Sequence, residues 1–101
     1  MIIVDTSIQA MPGQQQAALA CVQQIRGHFD LNWPLPTPRV LAVDTTGQAG
    51  RIHLISTKND LFEHQQQVRQ QGADPVTQGL LQQLNQCVVP GSNLVVIQDV
   101  I

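Results

Sequence analysis

The sequence predicts an α+β (or α/β) domain, a mixed four-stranded sheet packed by three helices in the order β-α-β-β-α-α-β. Three observations carry that expectation. Short β-branched runs interleave with stretches whose apolar residues recur every three or four positions. Two strand-like runs flank a six-residue stretch holding two glycines, the pattern of an antiparallel hairpin. And 101 residues at 43% hydrophobic content supply one core, which points to a single globular domain over 1–101.

Ile2-Ile3-Val4-Asp5-Thr6-Ser7-Ile8 is short and rich in β-branched residues and reads as a strand. Gln14 to Phe29 follows, with Ala18, Cys21, Val22, Ile25 and Phe29 on one helical face and Gln14, Gln15, Gln23 and Gln24 largely off it. Pro12 suits a first helical turn, and a helix of this length fits a crossover between two parallel strands. Pro34, Pro36 and Pro38 make 30–38 an extended connection, with Trp33 packing over the edge of the core. Arg39–Asp44 and Arg51–Ser56 are the hairpin strands. The first of them is apolar on both faces and is expected in the centre of the sheet.

Thr57 and Asp60 have the spacing of a capping box and open a second helix, which Gly72 closes. Its apolar stripe is thin, so it should lie on the surface. Asp74-Pro75 opens a third helix, with Asp74 as N-cap, and Val76, Leu80, Leu84 and Cys87 or Val88 form its stripe. Pro90-Gly91 stop it. Leu94 to Ile101 is a last strand, apolar on both faces apart from Gln98 and Asp99.

Charge is scarce. Seventeen residues are Gln, more than all charged residues together, and the net charge is -2. Such a surface repels copies of itself weakly. The five cationic residues stand apart at 26, 39, 51, 58 and 69, and the only aromatics are Phe29, Trp33 and Phe62. Neither a phosphate-binding face nor a base-stacking platform can be assembled from these, so no nucleic-acid partner is expected. No apolar run reaches the roughly 18–20 residues of a membrane span, so no membrane partner is expected either. Cys21 and Cys87 fall on apolar helix faces and read as buried, reduced thiols. With no export signal visible, the expected location is cytoplasmic.

Two short stretches bear on chemistry. Met1-Ile2-Ile3-Val4-Asp5-Thr6-Ser7 resembles the opening of PIN-domain ribonucleases, in which the Asp at this position is one of several acidic metal ligands. The resemblance ends there: no acidic residue lies between Gln14 and Phe29, and seven acidic residues are spread over the whole chain. Val40-Leu41-Ala42-Val43-Asp44-Thr45-Thr46-Gly47 is similar to the first phosphate-binding hairpin of the actin-like ATPase superfamily. That likeness implies an Asp and a small polar turn close to nucleotide phosphates, but it covers one hairpin and leaves no room for a second lobe.

The remaining candidates are weaker. His28, His53 and His64 show no metal-ligand spacing, and Ser7, Ser56 and Ser92 lack a nucleophile context. No metal, cofactor or catalytic residue is expected. The leading expectation is a non-enzymatic binding or accessory protein that acts through a homodimer or another protein partner, with Val95, Ile97 and Ile101 as the contact. The alternative is a small enzyme or phosphate-ligand domain using Asp5, Asp44 and the Thr45-Thr46-Gly47 turn. It requires the two carboxylates to converge.

Overall fold

The computed structural model describes all 101 residues. Its elements are β1 (Ile2–Gln9), α1 (Gln15–Asn32), β2 (Val40–Val43), β3 (Arg51–Lys58), α2 (Leu61–Gly72), α3 (Pro75–Asn85) and β4 (Leu94–Asp99). The order of elements is the expected one, and the fold is α+β. The sheet runs β2-β3-β1-β4, and every ladder in it is antiparallel.

Pairing differs from the sequence expectation in one respect that matters. β1 and β2 do point the same way, as a crossover through α1 requires, but they are not neighbours. β3 lies between them, pairing Asp5 with Ile55 on one side and Val40 with Ile55 on the other. The sheet is therefore antiparallel rather than mixed. The two central strands are β1 and β3, and the doubly apolar β2 and β4 are its edges. Apolarity on both faces did not mark a central strand here, because one face of the sheet carries no helix.

Strand parity shows which face that is. Ile2, Val4, Ile8, Ile52, Ser56 and Lys58 are buried, and they alternate along β1 and β3 on the helix side. Side chains alternate across a strand, so Asp5, Ser7, His53 and Ile55 share the other side. Ile8 and Ile52 form the core with Ala18, Cys21, Val22 and Ile25 of α1, with Leu84 of α3, and with Val88 beyond it. The α1 stripe is the one its periodicity indicates, and Phe29 is partly buried against the same cluster.

The ends of the helices follow local chemistry. Pro12 and Gly13 (φ +78°) make a turn ahead of α1 instead of its first turn. α2 is capped by Asp60, which accepts from the Glu63 N–H at 2.8 Å, while the Glu63 carboxylate accepts from the Asn59 N–H at 3.1 Å. That box is shifted three residues from the Thr57–Asp60 expectation, because β3 continues through Lys58. Asp74 caps α3, accepting from the Thr77 N–H at 3.0 Å. The buried stripe of α3 is Thr77 and Leu84 with Leu80 half-buried, and Val88 continues it beyond the helix end, whereas Val76 is 54% exposed. A side chain at Val76 points a quarter-turn away from the sheet.

Cys21 is buried and Cys87 half-buried, and neither is in a disulfide. The Cys21 thiol donates to the Leu80 carbonyl at 3.2 Å, which ties α1 to α3. Burial, and then the nearby Cys87, raise its pKa, so it is held as a thiol. His28 adds a second tie between these helices, donating through Nε2 to Asp74 at 2.6 Å. That bond, with Thr77, holds the Asp74 carboxyl down at about 2.

Candidate functional site

The two carboxylates singled out from the sequence do come together, on the helix-free face. Asp5 stands in the middle of β1 rather than at a strand end, since β1 continues to Gln9. Asp44 follows β2, its N–H bonded to the Arg51 carbonyl at 2.9 Å. Between them lies His53 of β3. Its Nδ1 meets Asp5 at 2.9 Å, and its Nε2 is 3.0 Å from Asp44, though that N–H does not align with the oxygen. The Asp44 contact and then Asp5 raise the imidazole pKa above its ordinary value, against an opposing desolvation. The triad is open to solvent, with the Asp5 side chain 32% and the Asp44 side chain 40% exposed. No group of three His, Cys, Asp or Glu side chains is arranged to share a metal ion. Thr45, Thr46 and Gly47 (φ +65°) form an exposed turn that bonds neither carboxylate. His53 lies two residues from Ile55, the partner of Asp5, and so faces the same side; only the pairing of β1 with β3 reveals it.

A different site lies on the helix side. α2 buries none of its own residues, so it stands off the sheet and leaves a cavity of about 440 Å³ between itself, α3 and the strands. The wall is mainly apolar, with Val4, Ile25, Leu54, Val68 and Leu81 among its residues. Ser56, Lys58 and His64, three of its polar residues, gather where β3 ends and α2 begins, while Gln71 and Thr77 lie at the other end of α2. Lys58 closes the even-numbered series Ile52, Leu54, Ser56, Lys58 and so faces the core, at only 6% exposure. It is the only lysine in the chain.

The surroundings of Lys58 are unusual for an ammonium. Its Nζ lies 2.8 Å from His64 Nδ1, on the first full turn of α2. Of the five ion pairs in the protein, none includes it. The neighbouring Arg39, 3% exposed, is already satisfied: it donates to Asp30 at 2.7 Å and to the Trp33 carbonyl at 2.6 Å, with its guanidinium over the Phe29 ring. Burial, and then the Arg39 charge, lower the Lys58 ammonium to about 8, with Glu63 opposing. Burial and Lys58 likewise lower His64, which keeps its imidazole neutral and able to accept at Nδ1. Sequence reading passed over this cluster. The available signal was a lone lysine at the core-facing parity of a strand.

Trp33 sits at the end of α1, edge-on to Phe29 at 5.6 Å. Its Nε1 donates to Gln70 of α2 at 2.8 Å. The end of α1, which runs to Asn32 and so takes the first residues of the expected 30–38 connection, thereby anchors the helix that roofs the cavity.

No family model matches the sequence, and no curated protein matches it. Solved structures do match in fold. An uncharacterized NIPSNAP domain protein from Burkholderia xenovorans superposes with a TM-score of 0.80 at 12% identity, over 100% of this chain and 95% of that one. A NIPSNAP family protein from Agrobacterium tumefaciens gives 0.77 at 15% identity, over 96% and 90%. A protein described as an antibiotic biosynthesis monooxygenase gives 0.76 at 18% identity, over 100% and 99%. At these identities the likeness is one of fold.

Proposed function

We propose that the protein binds a small, mainly apolar molecule in the cavity under α2, with a hydrogen-bond-accepting oxygen of that molecule facing Lys58. The carrying observation is a cavity of about 440 Å³ with an apolar wall and one buried cation that has no carboxylate partner. That volume falls within the roughly 300–1,000 Å³ of ligand pockets, and such pockets pair an apolar lining with a few placed polar groups. An unpaired buried ammonium is costly, and a ligand oxygen would offset that cost. Hexanol is a suitable inert probe. Titrated into labelled protein, it should produce saturable NMR shifts at Ile25, Val68, Leu81 and Lys58, and Val68→Trp should abolish them by filling the cavity. Absence of saturable shifts at those residues in the wild type overturns the reading.

A second reading, self-association, is favoured by the exposed edge strand β4. Leu94, Val95, Val96 and Ile97 of the edge strand β4 are 38–53% exposed, and β4 pairs with β1 alone. An open apolar edge is a template for another strand, and a two-fold dimer would cover it on both copies. Ionic contacts are few, so the dimer should persist from low to high salt. Light scattering should give twice the 11.1 kDa chain mass at both salts. A monomer at both, at high protein concentration, ends this reading and leaves the cavity reading intact.

A further inference from the structure

We propose that Lys58 is a covalent ligand-binding residue, its amine condensing with the carbonyl carbon of an apolar aldehyde or ketone seated in the cavity, with His64 as the proton acceptor. This rests on the cavity reading and names the ligand oxygen as a carbonyl.

Four observations point the same way. Lys58 lines the cavity and is nearly buried. Its nitrogen is held by one hydrogen bond, to His64 Nδ1 at 2.8 Å. No carboxylate pairs with it, and the adjacent cation Arg39 is committed to Asp30 and the Trp33 carbonyl. An amine becomes nucleophilic when an apolar pocket or a second cation lowers its pKa. With the ammonium at about 8, roughly a quarter of the molecules carry a neutral amine at pH 7.5, against about one in a thousand for an ordinary lysine. The bond to His64 uses an N–H, which leaves the nitrogen lone pair free.

The step balances without an oxidant or reductant. The ammonium gives a proton to water, the neutral amine attacks, a C–N bond forms and the carbonyl electron pair moves to oxygen, which takes a proton back from water. The nitrogen passes a proton to His64 Nδ1. The hydroxyl of the carbinolamine then takes that proton and leaves as water, and a C=N bond forms. In sum, an ammonium and a carbonyl become an iminium ion and one water.

A chain with one lysine has only two amines, Lys58 and the Met1 terminus, and this makes the test direct. Wild-type protein is treated at pH 7.5 with hexanal and sodium cyanoborohydride, which fixes an imine as a secondary amine, and adducts are mapped by peptide mass. Expected is an adduct on Lys58 that Val68→Trp blocks, while the Met1 adduct persists in both proteins. His64→Ala should slow the Lys58 adduct at least about tenfold, as loss of a proton acceptor does, with Met1 unaffected. With the polar glyceraldehyde in place of hexanal, labelling should fall at Lys58 and not at Met1. Labelling confined to Met1 while hexanol still binds overturns the covalent role and spares the cavity reading. Equal labelling of Lys58 in wild type and Val68→Trp also overturns it, because the amine would then react outside the cavity. Failure of both labelling and hexanol binding removes both proposals.

Discussion

α1 and α2 cover the same face of the same sheet with opposite results. α1 delivers four buried side chains to the strands and is tied to α3 by Cys21 and His28. α2 delivers none, and is held through its ends and its polar groups: Lys58 with His64, and Trp33 with Gln70. The difference lies in the stripe. Ala18, Cys21, Val22 and Ile25 recur at helical spacing, whereas α2 offers Leu61, Phe62 and Val68, each at least 47% exposed. A helix without a stripe cannot close onto a sheet, and the space it leaves becomes a cavity. Tight packing and the proposed ligand site thereby fall in different halves of one layer.

The largest effects should fall on the packed half. Leu84 is 7% exposed within the core, and Leu84→Ala should cost on the order of 2–5 kcal/mol, the range for an aliphatic truncation that leaves a void. Val68 faces the cavity and solvent at 50% exposure, so Val68→Ala should cost less than about 1 kcal/mol, because little packing is lost. Urea unfolding of the two variants measures both. Comparable losses would mean that α2 closes onto the sheet in solution and that the cavity is not there.

This division was partly legible in the sequence. The α1 face, the hairpin, the thin stripe of α2 and the Asp74 cap could be read from spacing and cap chemistry, which are local. Strand order could not. Whether Val40–Val43 and Leu94–Asp99 are central or edge depends on which strand inserts beside β1, and both are apolar enough for either place. The convergence of Asp5 and Asp44 was readable as a possibility, but its meaning was not, because His53 joins them only once β1 and β3 are neighbours. Lys58 was missed for a related reason. A cation is expected at the surface, and only the parity of β3 together with the distance of α2 puts it inside.

A middle-sized effect separates the loose half by pH. The folded-state pKa of Lys58, about 8, lies below its ordinary 10.5. Between those values the unfolded chain binds more protons, so wild-type stability contributed by this group rises with pH across that window, and below it the whole cost is present. Lys58→Met keeps the stem and removes the charge. The variant should be more stable than wild type by about 1–3 kcal/mol at pH 7, and the gap should close from about pH 8 to pH 10.5. Cys21, raised from its ordinary 9.0, pulls the other way above that pH, but it does so in both proteins and cancels from the difference. A gap that stays constant over the window would show that Lys58 is not a buried cation, and the boundary between a packed half and a ligand half would lose its chemical basis.

The smallest effect tests the register of the packed half. Gln82 lies on α3 two residues before Leu84 and is exposed. A rotation of about 200° separates the two along a helix of 3.6 residues per turn, so if Leu84 points into the core, Gln82 points away from it. Gln82→Ala removes an amide from water and replaces it with a slightly better helix former. The change in unfolding free energy should therefore be within roughly 0.5 kcal/mol of zero. A loss matching that of Leu84→Ala would turn α3 by half a revolution. Thr77, which is 1% exposed and donates to Asp74 at 2.7 Å, would then leave the interior, and the α1–α3 contact that distinguishes the packed half from the loose one would have to be redrawn.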